Sequence, residues 1–257
     1  MFNARVKTGI AIIAFYIPSL LVAAHYLFRR HGRPRLAWYI LLMFSLIRLA
    51  SGIIIIVYEQ QPSVGLGVPV IILSNPGAFP LIAATIGFIR IIIAQEHKIN
   101  PRVHQGLAIS RMLFFVGIPL LIAGGILKGQ DSYHLVSTGD RLVKAGYIII
   151  AVFVGCLLAF ITYFWNHYST LTPSSATALQ AMSLAFPFIV VRITYLFLSE
   201  FEASNLKWAL TVTLVPFILM ALVMEYAVVC IYLITGILLP SSKYTSMAEG
   251  GVFLREP

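Results

Sequence analysis

Uninterrupted apolar runs dominate this sequence, and each is long enough to cross the hydrocarbon core of a bilayer as an α-helix. A crossing takes about 20 residues, because the core is about 30 Å thick and a helix rises about 1.5 Å per residue. Seven runs meet this requirement, at residues 8–28, 37–58, 68–94, 108–127, 145–165, 177–199 and 208–238. The sequence therefore predicts an all-α polytopic membrane protein built as a seven-transmembrane-helix bundle.

The composition agrees with a chain whose solvent is lipid. Hydrophobic residues make up 60% of the 257 residues and charged residues 11%, whereas soluble domains average about 45–50% and about 25%. The connectors between the runs are short and polar, so no soluble domain is expected. We predict one seven-helix transmembrane domain over residues 1–240 and a short disordered cytoplasmic tail over residues 241–257.

The formal net charge of +9 is explained by membrane topology. Lys and Arg flank the apolar runs, which is typical of loops retained in the cytoplasm, and they form no patch that would bind nucleic acid. Of the 18 Lys and Arg residues, two lie deep inside the runs, and an N-terminus outside places ten of the other 16 in loops or near run ends on the inner side. We therefore predict a multi-pass protein of the endoplasmic reticulum or plasma membrane with its N-terminus outside and its C-terminus inside.

Three ionisable residues lie well inside the predicted spans: Arg48 in the second, Arg192 in the sixth and Glu225 in the seventh. An ionised side chain near the bilayer centre costs at least about 2.5–3.5 kcal/mol on insertion scales, so each should face the bundle interior and find a partner. We expect an Arg-Glu-Arg cluster. Two interpretations of it stay open, a ligand site or a buried ion pair that only fixes helix packing.

Other polar residues and helix breaks fall at a similar depth. Asn75 precedes Pro76 and Gly77, which should break the third span, because proline removes a helical donor and clashes with the preceding turn. Broken helices are tolerated at depth only against protein or a wet cavity. We predict a polar pocket for a lipophilic small molecule, with these ligand-binding residues: Arg48, Arg192, Asn75, Tyr195 and Tyr226.

Glu59 and Glu225 form a candidate pair of catalytic carboxylates. A carboxylic acid kept neutral by an apolar site can protonate an alkene or epoxide, and a second carboxylate can later remove a proton. Against this, Glu59 stands where a solvated helix end would also place it, and arginines near Glu225 would stabilise its ionised form. The six histidines lie at span ends or in loops without ligand spacing, so no metal or other cofactor is predicted.

Segments 15–23, 44–48, 187–192 and 224–229 resemble those of a fungal family of seven-span proteins catalogued as a domain of unknown function. The resemblance implies a filamentous-fungal source and a heptahelical fold, with Arg48, Asn75, Arg192 and Glu225 at motif positions, and it implies no activity. A fainter similarity, in size, span number and two membrane carboxylates, is to the fungal membrane-bound terpene cyclases that cyclise epoxidised meroterpenoids.

Three functional hypotheses follow, one of which is a lipid-interacting accessory protein with no turnover. The other two involve a bound small molecule. The first is acid-initiated isoprenoid cyclisation in fungal secondary metabolism, as the fainter similarity implies, with Glu225 or Glu59 as the proton donor. The second is a receptor or transporter for an anionic or lipid-like ligand, in which the arginines would bind the anionic group. Membrane lipids and a lipophilic small molecule are the partners expected under both.

Overall fold

The computed structural model describes residues 4–29, 36–60, 78–96, 101–130, 132–201, 215 and 217–238. These residues form seven helices, with one short 3-10 turn, Tyr168–Thr170, before the sixth. The seventh helix is continuous with a π-helical segment, Phe217–Val223, that precedes it. The helices are α1 Ala4–Arg29, α2 Leu36–Gln60, α3 Ala78–Gln95, α4 Pro101–Lys128, α5 Tyr133–Asn166, α6 Pro173–Phe201 and α7 Met224–Leu238.

Six membrane crossings are evident from length and hydropathy among the described residues. They comprise α1, α2, α4, α5, α6 and the combined segment Phe217–Leu238, whereas the apolar part of α3, Phe79–Gln95, is shorter. The prediction of an all-α, multi-pass integral membrane protein is thereby confirmed. Residues 68–77 of the third predicted span, which include Asn75, lie outside the described residues.

Helix ends differ from the ends of the apolar runs. α5 begins at Tyr133, twelve residues before the predicted run at 145–165, and contains 34 residues. At about 1.5 Å per residue such a helix is about 51 Å long and exceeds the hydrocarbon thickness. Hydropathy identifies only the part of a helix that lies in lipid. The polar helical turns that extend beyond the lipid are therefore not predicted from the apolar run.

The helices pack as a five-helix group with a hairpin beside it. α3 lies between α2, α6 and α7, and α1 packs against α2 and α7. α4 and α5 pack chiefly against each other, and α5 joins the pair to α6. α3 is buried on nearly every side, since Leu81, Ile82 and Phe88 are all at most 2% exposed. The five-helix group therefore contains the interior of the protein.

Large apolar side chains cover the outside of the bundle. Phe28, Met112 and Phe115 are each about 70% exposed, at 74%, 70% and 68%. An apolar surface of this extent would promote aggregation in water. Acyl chains solvate it in a bilayer, which agrees with the multi-pass assignment.

Small residues set the closest helix crossings. A Cβ atom added to Gly124 of α4 would lie 2.7 Å from Val143 Cγ2 and 2.9 Å from the carbonyl oxygen of Gly139 on α5. Membrane helices commonly approach each other at such positions, because the absence of a side chain lets the backbones come together. The adjacent Gly125 has nothing within 4 Å of its Cβ position.

We expect Gly124→Ala to lower the free energy of unfolding by about 1–3 kcal/mol, because the new methyl group would push α4 and α5 apart. Gly125→Ala is the matched control and should leave stability unchanged or raise it by up to about 1 kcal/mol, because alanine favours a helix over glycine. Thermal unfolding of the two variants in the same detergent measures the difference. Equal stability of the two variants would contradict the packing described here.

Candidate functional site

Arg48, Arg192 and Glu225 meet in the interior of the five-helix group. Glu225 Oε1 accepts a hydrogen bond from Arg48 Nη2 and a second, 2.7 Å long, from Arg192 Nε. The three side chains are 1%, 2% and 0% exposed. The predicted meeting of these charges is confirmed, and we call the three residues the charge cluster.

The charge cluster lies near the middle of the membrane-crossing segments. Arg48 stands twelve residues after Leu36 and twelve before Gln60 on α2, so it is about 18 Å from either end of the helix. Lipid at that depth does not solvate an ion, and the cost of exposing one there is several kcal/mol. The helices therefore turn these three residues toward one another.

The charge cluster holds more positive than negative charge. Two guanidinium groups contribute two positive charges and Glu225 contributes one negative charge, and both arginines bind the same oxygen of Glu225. Glu225 Oε2 and the Nε and Nη1 atoms of Arg48 have no hydrogen-bond partner among the described residues. Buried polar atoms left in this state cost about 1–3 kcal/mol each.

Aromatic side chains from α1, α2 and α7 surround the charge cluster. The ring of Tyr16 on α1 packs edge-on against Phe44 and Tyr226, at 5.5 Å between centroids in both pairs. Phe15 stacks on Tyr226 at 3.9 Å. The hydroxyl groups of Tyr16 and Tyr226 are buried without a hydrogen-bond partner in the part of the chain that the structure describes.

Tyr16 belongs to the site, although it is not among the site residues predicted from the sequence. It is fully buried, and its ring packs against Phe44, whose own ring centroid lies 5.8 Å from the guanidinium carbon of Arg48. A tyrosine in the middle of an otherwise apolar span carries a polar group to lipid depth, and that was the available signal. Tyr195, which was selected, is buried with its ring 5.8 Å from the guanidinium carbon of Arg192, within the range of a cation–π contact.

A narrow crevice adjoins the charge cluster on the side of α3 and α6. It holds about 180 Å³ of space between atoms, and none of that space is wide enough for a water molecule. Leu81, Phe188, Met224 and Val228 line it together with Arg192 and Glu225. The charge cluster is therefore closed in this conformation, and the crevice is apolar apart from the two ionised groups.

Two irregular helix segments lie beside the charged residues. The π-helical segment Phe217–Val223 ends two residues before Glu225, and Pro187 lies inside α6, five residues before Arg192. π-Helical turns are less stable than α-helical turns and are frequent at functional sites, and proline removes one helical hydrogen bond. The helices that carry Glu225 and Arg192 can therefore bend close to the charge cluster.

Glu59 lies away from the charge cluster. It follows Arg48 by eleven residues on α2, which places it about 16 Å further along the helix. Its side chain is only partly buried. The structure thus brings Arg48, Arg192, Glu225, Tyr195 and Tyr226 into one region and leaves Glu59 near the end of its helix.

A second charged network joins α4, α5 and α6 near their ends. Lys128 of α4 pairs with Glu200 of α6 and lies 3.4 Å from Asp140 of α5, which also binds Lys144 at 2.6 Å. This network has two positive and two negative charges and is partly exposed. Across the residues that the structure covers, no group of three or more His, Cys, Asp or Glu side chains is arranged to hold a metal ion.

Comparison with known proteins gives one match. A family model described as "Domain of unknown function (DUF7702)" matches residues 2–242. No curated protein and no solved structure shows significant similarity to the chain.

Removing the carboxylate should destabilise the fold more than removing either arginine. We expect Glu225→Gln to lower the free energy of unfolding by about 3–5 kcal/mol, because two buried guanidinium groups would lose their anion. Arg48→Gln and Arg192→Gln each leave one arginine paired with Glu225 and should cost about 1–3 kcal/mol.

Thermal or denaturant unfolding in detergent measures this order, with Arg111→Gln on α4 as the control because Arg111 is exposed. If Arg48→Gln and Glu225→Gln proved equally destabilising, the excess of positive charge would not determine how much each residue of the charge cluster contributes to stability.

Proposed function

This chain belongs to the family described as a domain of unknown function (DUF7702), and we propose its function from the geometry of the site. It is a seven-helix receptor or transporter that binds the anionic group of a lipophilic small molecule within the bilayer. The observation that supports this most strongly is the excess positive charge of the charge cluster. Arg48 is 1% exposed and uses only Nη2 toward Glu225, while its Nε and Nη1 find no acceptor among the described residues.

An anion would satisfy the Arg48 donors that have no acceptor among the described residues. One additional negative charge makes the charge cluster neutral, and its oxygen atoms can accept from the N–H groups of Arg48. Charge-assisted hydrogen bonds of this kind are about twice as strong as neutral ones. Arginine is also suited to bind carboxylate or phosphate oxygens, because its donors are held in a fixed planar arrangement.

The surroundings favour a ligand with an apolar body. The crevice is lined by Leu81, Phe188, Met224 and Val228, and aromatic rings enclose the other side of the charge cluster. A ligand reaches this depth by partitioning from the bilayer or by passing between helices. Pockets of this kind combine apolar walls with a few polar groups that fix orientation.

Binding requires the crevice to widen. Bending at the π-helical segment Phe217–Val223 or at Pro187 would move Glu225 or Arg192 and make room between α3, α6 and α7. Discontinuous or irregular helices serve this purpose in many membrane transporters.

Acid-initiated cyclisation has less support. A proton donor must carry its proton before the reaction, yet Glu225 lies between two arginines that favour its ionised form. Glu59, the second candidate acid, is about 16 Å along α2 from the level of Arg48. The geometry thus favours the binding of an anion over the donation of a proton.

We infer further that α3 is part of a seventh crossing and that the N-terminus lies outside. α3 packs against α2, α6 and the α7 segment, three elements that are long and apolar enough to cross, and is buried among them. The distribution of Lys and Arg favours this orientation.

Amphiphiles of one chain length test the proposed function. We expect an alkyl carboxylate or an alkyl phosphate to raise the unfolding temperature of the purified protein by about 5 °C or more at saturating concentration, and the matching alcohol to have little effect. Arg48→Gln should abolish the shift, because it removes the excess positive charge.

The control Arg111→Gln should retain the shift, since Arg111 is an exposed arginine on the peripheral helix α4. If the alcohol stabilised the protein as much as the anions do, the effect would be nonspecific partitioning and not recognition of the anionic group. A shift that persisted in Arg48→Gln would place the binding site elsewhere.

A further inference from the structure

The geometry points to a specific ligand class and a specific further residue: the site takes a singly charged carboxylate, and the hydroxyl group of Tyr16 donates a hydrogen bond to it. This inference rests on the proposed function and adds to it the class of anion and a specificity-determining side chain.

The first step concerns charge. Arg48, Arg192 and Glu225 together carry one net positive charge and are at most 2% exposed. A carboxylate brings one negative charge and makes the site neutral. A phosphate monoester brings about 1.5 to 2 negative charges at neutral pH, so it would leave a net negative charge buried at lipid depth, which is costly.

The second step concerns repulsion. Glu225 Oε2 has no hydrogen-bond partner among the described residues and remains inside the charge cluster. A ligand bound to Arg48 therefore lies close to a carboxylate oxygen of the protein. A like charge nearby opposes ionisation and binding, and this opposition is greater for a dianion than for a carboxylate.

The third step concerns hydrogen-bond donors. The Tyr16 hydroxyl is fully buried and has no hydrogen-bond partner in the described residues, and the Phe44 ring beside it also lies 5.8 Å from the guanidinium carbon of Arg48. Phe44 and Tyr226 hold its ring on two sides at 5.5 Å between centroids. A buried hydroxyl without a partner destabilises the protein unless something occupies the position opposite it. A carboxylate oxygen next to Arg48 would accept from this hydroxyl.

Tyr16 differs from Tyr226 in the role that the geometry gives it. Tyr226 is partly exposed, whereas Tyr16 is fully buried. Tyr16 can be replaced by phenylalanine with its ring packing intact, and only the hydroxyl is then lost. This makes Tyr16→Phe the cleaner variant for separating binding from packing.

The experiment compares an alkyl carboxylate, an alkyl phosphate monoester and the alcohol of the same chain length on the purified full chain in lipid nanodiscs. Affinities come from titrated shifts in unfolding temperature and from competition with a labelled alkyl carboxylate. We expect the carboxylate to bind at least about tenfold more tightly than the phosphate monoester. The reason is that the extra negative charge of the phosphate monoester would be buried without a balancing positive charge.

Tyr16→Phe should weaken carboxylate binding by about threefold to tenfold, the usual range for one hydrogen bond. Without ligand, the same variant should be as stable as the wild type or more stable, because it removes a buried hydroxyl that has no partner. Tyr39→Phe is the matched control, since Tyr39 is a 52% exposed tyrosine on α2, and it should change neither property.

The outcomes separate the two proposals. Tighter binding of the phosphate monoester would overturn the carboxylate assignment and leave the proposed function intact. Absence of binding by both anions would overturn the proposed function as well. A Tyr16→Phe variant that is less stable without ligand and binds the carboxylate with unchanged affinity would show that Tyr16 has a packing role only.

Discussion

The fold depends on the rule that an ionised side chain at lipid depth must find its partners within the protein. Arg48, Arg192 and Glu225 come from α2, α6 and α7, and 177 residues separate the first from the last. Each helix presents many apolar faces that lipid would accept equally well, so apolar packing alone leaves its rotation weakly determined. The charge cluster determines it, because only one rotation of each helix brings the three side chains together. The positions of Tyr16, Phe44 and Tyr226 then follow from the same three helices and from α1.

The sequence predicts the parts of this structure that hydropathy and the cost of buried charge control. Apolar runs locate the helices, and the three intramembrane charges are correctly expected to meet. Other features depend on tertiary contacts. α5 begins at Tyr133 because polar turns before the apolar run are also helical. The π-helical segment Phe217–Val223 has no sequence pattern that distinguishes it from an α-helix. Tyr16 resembles any tyrosine in a span until α2 and α7 are packed around it. Asn75 lies outside the described residues, so its predicted role stays a prediction.

The arrangement of the helices separates the site from the hairpin beside it. The charge cluster lies among α2, α6 and α7, with α1 and α3 completing the interior. α4 and α5 meet the rest of the protein mainly along α6, and the Lys128–Glu200 pair joins this hairpin to the end of the same helix that carries Arg192. Glu200 follows Arg192 by eight residues, about 12 Å along the helix. A movement of α6 at Pro187 that opened the crevice would therefore also move α4 and α5. A conformational change at the charge cluster could in this way reach the outer helices.

A buried ion cluster that served packing alone would not need its second arginine. One arginine and one carboxylate form a neutral pair, and apolar residues of similar volume are often equally stable in its place. The second arginine adds a buried positive charge, and the donors Nε and Nη1 of Arg48 have no acceptor in the described part of the chain. Both features reduce the amount by which Arg48 stabilises the protein when no anion is bound. An anion bound to Arg48 would balance this charge and accept a hydrogen bond from one of these donors. The Arg48 donors that lack an acceptor among the described residues thus favour the proposed binding site over an ion cluster that serves packing alone.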